Sequence, residues 1–246
     1  MRFDKKTVLV TGGNSGIGFA TAKRLVSEGA QVIITGRDEK KLNQAVQELG
    51  NKAFGVVADA SKPAELEKLY KTISQKYGNL DGIFANAGIA INEPIDQVTE
   101  DSFDKLINTN LKGVFFTVQK ALPYLNKGAS IVLNSSVTAN RGLPNMTVYA
   151  STKAAVRSLA RGFSAELLGR GIRVNVVSPG PINTPIWNRD AVHLPQEHAN
   201  AIAQSIPMKR FGEPEEIASA AAFLLSHESS YIAGEDIHVD GGGNQI

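Results

Sequence analysis

Thr7-Val8-Leu9-Val10-Thr11-Gly12-Gly13-Asn14-Ser15-Gly16-Ile17-Gly18 carries an unbroken apolar run into a glycine-rich bend, after which Ala22, Leu25 and Val26 recur at helical spacing. The order is strand, glycine turn, helix. Glycine lets the backbone bend sharply and come close to a diphosphate, while the free amides and positive end of the next helix face the anion. Gly12, Asn14, Ser15, Gly16, Ile17 and Gly18 are therefore candidate nucleotide contacts. The glycine spacing differs from the commoner G-x-G-x-x-G, and a turn that merely packs closely is the bland alternative.

Working outward, short β-branched runs alternate with longer helical patterns, as repeated βαβ units building a parallel sheet require. Seven strands are expected, at Thr7–Thr11, Gln31–Thr35, Ala53–Ala58, Gly82–Ala85, Ser130–Asn134, Arg173–Val177 and Asp236–Val239. Most are continuous apolar runs, the pattern of strands buried on both faces. Leu42, Ala45, Val46 and Leu49 mark one amphipathic helix ending at Gly50; Leu66, Leu69, Tyr70 and Ile73 mark another, with Ser61 as its expected cap and Pro63 near its first turn. Longer helices are expected over roughly 100–124 and 148–169, and a shorter one after Gly212-Glu213-Pro214. The fold class is α/β, a doubly wound seven-stranded parallel sheet with helices on both faces, read as a single domain over 1–246. The least regular stretch, about 181–210, is long enough to be a binding loop.

Composition closes several routes. A net charge of +2, with acids and bases interspersed, gives no footprint of a nucleic-acid or membrane-surface binder. Without cysteine there is no disulfide framework, thiolate metal site or cysteine nucleophile. The expectation is a soluble cytoplasmic protein with no signal peptide or membrane span. His193 and His198 lie five apart, which separates them on a helix, so no metal site is expected.

Tyr149 and Lys153 stand at i and i+4 on a helical pattern, so they share one face. A phenol titrates near pH 10, and a neighbouring cation lowers that value by favouring the phenolate. Ser135-Ser136 follows the run Ile131-Val132-Leu133-Asn134, at a strand's carboxyl end, where open α/β sheets bind their ligands.

With these motifs assembled, the chain resembles the short-chain dehydrogenase/reductase family along nearly its whole length. The resemblance rests on Thr11–Gly18, Asn86-Ala87-Gly88, Asn110 within Asn108-Thr109-Asn110, Ser136 with Tyr149 and Lys153, and Pro179-Gly180. It implies a Rossmann fold and hydride transfer between a nicotinamide and a carbonyl or alcohol carbon. Tyr149 would be the general acid or base, and Ser136, which fits the family spacing where Ser135 does not, would hold the substrate oxygen. Lys153 would bind the ribose and lower the Tyr149 pKa, and Asn110 would hold a water linking Lys153 to solvent. Asp59, with Ala60, would contact the adenine, although a strand-end aspartate often only caps a helix. Asn86, Ala87 and Gly88 would border the cofactor, with Asn86 more structural than chemical, bridging strands beneath it. Pro179, Gly180, Ile182 and Thr184 would complete the cofactor site. Val137, Leu143, Met146 and Trp187 would line an apolar substrate pocket suited to hydrophobic or aryl ketones, unless Trp187 simply packs its loop. A homotetramer is the family expectation.

The stretch Val32-Ile33-Ile34-Thr35-Gly36-Arg37-Asp38-Glu39 points to the cofactor. Where NAD-binding folds place an acid on the ribose hydroxyls this chain has Gly36, and Arg37 follows, as a 2′-phosphate would require. NADP(H) is therefore the expected cofactor; a solvated Arg37 beside an N-capping Asp38 is the alternative. Two other functions share these motifs: a 3-oxoacyl-thioester reductase, which would want a basic entrance drawn from Arg141, Arg157, Arg161 or Lys209, and a redox sensor that binds NADP without catalysis.

Overall fold

The computed structural model describes residues 1–189 and 192–246, and for residues 188, 189, 192 and 193 the backbone alone. The side chain of His193 thus lies outside the described residues. Seven strands, β1 (Thr7–Val10), β2 (Gln31–Gly36), β3 (Ala53–Val57), β4 (Leu80–Ala85), β5 (Leu125–Asn134), β6 (Arg173–Pro179) and β7 (Asp236–Val239), form one sheet. Its order is β3-β2-β1-β4-β5-β6-β7, parallel throughout.

The strands read as apolar runs because both sides of the sheet are covered. On one side Val8, Val10, Val32, Ile34, Phe84 and Val132 pack against α1 (Gly16–Ser27), α2 (Glu39–Leu49) and α8 (Pro214–Leu225). Leu9, Ile33, Ile83, Ile131 and Leu133 face the other way, toward α3 (Pro63–Tyr77), α5 (Gly113–Ala121) and α6 (Thr147–Leu167). Each such side chain contributes about 1.5–3 kcal/mol on burial. Because β1 pairs with β2 on one edge and β4 on the other, the connections diverge there. In doubly wound sheets such a switch point, here the carboxyl ends of β1 and β4, forms the crevice that holds ligands.

Some expectations are corrected. β5 begins at Leu125, not Ser130: Leu125 pairs with Leu80, and the register then shifts before Gly82 meets Ser130. Polar Asn126-Lys127-Gly128 hides this extension in the sequence. The helix expected over 100–124 is α4 (Glu100–Leu106), a π-helical turn at Ile107–Lys112, α5, and a 3₁₀ turn at Leu122–Tyr124. Ser61 does not cap α3; Lys62 holds that position, and the Ser61 hydroxyl donates instead to Asp59 Oδ1 at 2.7 Å. The stretch 181–210 contains a further helix, α7 (Gln196–Ser205), and a small hairpin of Asn188–Arg189 with Val192–His193.

Candidate active site

The glycine turn sits at the crevice. Gly12 (φ 64°) and Gly16 (φ 52°) adopt left-handed backbone that other residues rarely take. A Cβ on Gly18 would fall 2.3 Å from the Gly12 carbonyl oxygen, so the first turn of α1 can press onto the bend only with glycine there. Ser15, in extended backbone, holds the N-cap position of α1, whose first turn has no acid to oppose an anion. Ile17 faces the core behind the turn. The bend is tied to β4, where the backbone N–H groups of Asn86 and Ala87 both donate to Thr11 Oγ1 at 3.0 Å. Asn86 Nδ2 donates to the carbonyls of Thr11 (3.0 Å) and Gly12 (3.3 Å), and Asn134 Nδ2 donates back to Asn86 Oδ1 at 2.9 Å. Asn86 thereby joins β1, β4 and β5, as its structural reading requires.

At the end of β2, a Cβ on Gly36 would lie 2.9 Å from Cγ of Asn14. The Asn14 amide fills the place an acidic side chain would take. Arg37 is exposed and makes no hydrogen bond or ion pair among the described residues. Asp38 caps α2, accepting from the Lys41 N–H at 3.0 Å. Asp59 accepts the Ser61 N–H at 2.9 Å as well as its hydroxyl, and neighbouring Ala60 presses its carbonyl against Gly113 of α5.

Across the crevice, β5 delivers Ser136 and α6 delivers Tyr149 and Lys153. Ser136 Oγ accepts from the Thr138 N–H at 3.2 Å and reaches the Tyr149 phenol. Lys153 is 5% exposed, and its Nζ donates to the Asn134 carbonyl at 2.9 Å and lies 5.7 Å from the Tyr149 ring centre. Burial draws the Lys153 pKa down to about 8. The Tyr149 phenol is pushed up, chiefly by burial, and the Ser136 hydroxyl pulls it partly back.

Asn110 lies in the π-helical turn, wholly buried. Its Oδ1 accepts the Ile89 N–H and its Nδ2 donates to the Ile89 carbonyl, both at 2.9 Å, with Thr152 Oγ1 at 3.3 Å. A Cβ on Gly88 would lie 3.3 Å from Asn110 Oδ1 and 3.6 Å from Lys153 Nζ, so the missing side chain leaves room beside both. That cradle and the glycine turn fit a bound dinucleotide.

The remaining predicted residues border the cleft. Pro179 ends β6, and a Cβ on Gly180 would fall 2.7 Å from the Asp240 Cα. Ile182 is buried and bridges to Gly212, while Thr184 and Pro185 lie over Gly16 of the glycine turn. Val137 is buried beside Ser136 in a 3₁₀ turn, and half-buried Leu143 and Met146 lead into α6. Trp187 donates its indole N–H to the Ile182 carbonyl at 2.6 Å and packs on Phe211 with ring centres 5.7 Å apart, which holds its polar edge within its own loop. Sequence reasoning missed Asn134 and Thr152, and set aside Ser135, whose hydroxyl donates to the Lys153 carbonyl at 2.8 Å. A polar residue closing an apolar strand was the available signal at Asn134; nothing local marks the other two. Among the described residues no three metal-ligating side chains cluster, and no helix is long and apolar enough to cross a membrane.

Residues 12–244 match a family model described as enoyl-(acyl carrier protein) reductase. The chain is 42% identical over 247 residues to an oxidoreductase of Sarocladium schorii, covering 100% of this chain and 98% of that one. The chain belongs to the short-chain dehydrogenase/reductase family. Within that family it is 39% identical to the 3-oxoacyl-(acyl-carrier-protein) reductase FabG of Thermotoga maritima, over 98% of this chain and 99% of the relative. The crystal structure of levodione reductase superposes with a TM-score of 0.92 at 36% identity, over 99% of both chains. As a short-chain dehydrogenase/reductase, this protein is an oxidoreductase that acts on carbonyl or alcohol substrates with a nicotinamide dinucleotide.

Proposed function

We propose that this protein interconverts a ketone and a secondary alcohol using NADP(H), with Tyr149 as the general acid in reduction and the general base in oxidation. The observation that carries this reading is the Lys153 ammonium buried over the Tyr149 ring, 5.7 Å from its centre, with Ser136 beside them at the carboxyl end of β5. When bound, the nicotinamide supplies or accepts the hydride. During reduction the carbonyl π electrons pass to oxygen as hydride reaches carbon; the Ser136 O–H donates to that oxygen and the Tyr149 O–H gives it a proton. Two hydroxyl donors aimed at one developing charge are the arrangement that lowers such a barrier. Lys153 would hold the ribose hydroxyls, and its proton, present below about pH 8, favours the phenolate left behind. Asn110, with both side-chain polar atoms engaged, keeps the Ile89 segment and α6 in place. The diphosphate would lie on Gly12–Gly18 beneath Thr184, and Asp59 with Ala60 would border the adenine.

NADP(H) is favoured over NAD(H) by Arg37, exposed and unengaged, beside a Gly36 whose side-chain space Asn14 occupies. The substrate would lie among Val137, Leu143, Met146 and Trp187, an apolar set suited to hydrophobic ketones. Homotetrameric assembly and a cytoplasmic location belong to the same reading. A 3-oxoacyl thioester is the second substrate class, supported by the similarity to FabG. Against a carrier-bound substrate, Arg157, one of the four cations such an entrance would draw on, is paired with Asp236.

The test is NADPH consumption across aryl ketones, sugars, steroids and 3-oxoacyl thioesters, with Tyr149→Phe alongside. Turnover should fall about 10²–10⁴-fold in the variant, with nucleotide affinity unchanged. Near-normal turnover in Tyr149→Phe would remove the tyrosine from the mechanism. Nucleotide binding with no turnover on any substrate would favour the sensor reading.

A further inference from the structure

The segment Asp240–Asn244 touches three edges of the cleft. At the first, Asp240 lies so close behind Gly180 that only glycine fits there. At the second, the Met208 N–H, at the base of the substrate loop, donates to the Gly241 carbonyl at 3.2 Å. At the third, Asn244 Nδ2 donates to the carbonyl of Val137, the residue after Ser136, at 3.1 Å. The segment holds its own shape: the Asp240 carboxylate accepts the Gly242 N–H on Oδ1 at 2.9 Å and the Asn244 N–H on Oδ2 at 2.8 Å. Arg141, at the end of the turn that Ser136 starts, donates to the Gly243 carbonyl at 3.1 Å. Ser136 therefore begins a turn whose start is held by Asn244 and whose end is held by Arg141.

We propose that Asn244 is a positioning residue for the reaction, setting Ser136 against Tyr149 through the Val137 carbonyl, with Asp240 fixing Asn244 and joining it to the base of the substrate loop. The proposal rests on the assignment of Ser136 and Tyr149 above. Asn244 touches neither hydroxyl and acts only through the backbone. Losing its amide donor leaves the Val137 carbonyl without that partner and frees the turn to shift. The Tyr149 phenol then loses its Ser136 contact, which counters part of the effect of burial. The charged and titratable groups around this arrangement are Lys153 on α6, Arg141, Asp240 and, against Asn140 of the same turn, Arg157 and His238, and none is altered by a change at residue 244.

Two variants test this: Asn244→Ala, which removes the donor, and Asn244→Leu, which keeps the volume with neither donor nor charge. In full-length protein labelled with ¹³C at tyrosine Cζ, the Tyr149 resonance is identified by its loss in Tyr149→Phe. Ser136→Ala sets the shift that accompanies loss of the serine contact. Both Asn244 variants should move the resonance toward the Ser136→Ala value. They should lower kcat about ten-fold, with nucleotide affinity unchanged, and raise the pH at which the oxidative rate reaches half its maximum. A Tyr149 resonance identical to wild type in both variants overturns the proposal, as does a resonance that Ser136→Ala fails to move. Wild-type protein that turns over no carbonyl substrate would sink the oxidoreductase reading instead, and the resonance would still decide the role of Asn244.

Discussion

Lys153 is a costly side chain to bury, an ammonium whose contacts among the described residues are the Asn134 carbonyl and the Tyr149 ring rather than an acid. Its pKa is about 8 when folded against an ordinary 10.5, so between those values the unfolded chain binds a proton that the folded chain does not. Stability therefore rises with pH across that window, and below about pH 8 the folded state bears the full cost of the buried cation. Lys153→Met should unfold at a higher temperature than wild type at pH 7. The gap should shrink as pH climbs from 8 toward 10.5, while turnover is lost. Thermal unfolding of both proteins across pH 6–10 measures it, and a gap that does not change with pH would refute the account. The pairing of Tyr149 with Lys153 was legible from their spacing. The direction of the Tyr149 shift was not, because burial and the Ser136 contact depend on residues brought in from β5.

The π-helical turn between α4 and α5 shows where element-level reading stops. Ile107-Asn108-Thr109-Asn110-Leu111-Lys112 continues the periodicity of its flanks, so the sequence reads as one helix, and the widened turn that buries Asn110 against Ile89 is set by packing. Such turns recur at functional sites because they redirect one side chain without breaking the helix. α7 escaped for the opposite reason, lying between Pro195 and Pro207 in a stretch whose prolines read as irregular. Asn110→Ala should strip both backbone groups of Ile89 of their partner, at about 1–3 kcal/mol for each group left unsatisfied. For a chain of this size each kcal/mol lowers Tm by about 2–4 °C. Circular dichroism melts should show a loss of several degrees together with reduced turnover. A variant with unchanged Tm and turnover would deny Asn110 its place in the scaffold.

At the scale of the whole molecule, the alternation of buried runs and amphipathic helices was enough to specify the sheet, because a strand covered on both faces has no polar side to blur the signal. Contacts that cross the sequence were not legible: neither the Asn244 hydrogen bond to Val137 nor the seating of Asn14 under Gly36 has a local signature. The cofactor choice depends on that second contact, since an acid at position 36 would have to displace Asn14. A nucleotide that binds only the folded chain stabilises it by about 2.7 kcal/mol at one hundred times its Kd, which corresponds to about 5–10 °C in Tm. NADPH should therefore raise Tm more than NADH at equal concentration, whether or not the right carbonyl substrate has been found. Arg37→Asp should bring the NADPH increment down to or below that of NADH, because a charge-assisted bond to the 2′-phosphate is worth about 1.5–3 kcal/mol. The same substitution should leave the melt of the nucleotide-free protein close to wild type, since Arg37 is exposed and engages no described residue. Equal NADPH and NADH shifts in the wild-type protein would show that the cation at this bend is solvated rather than selective.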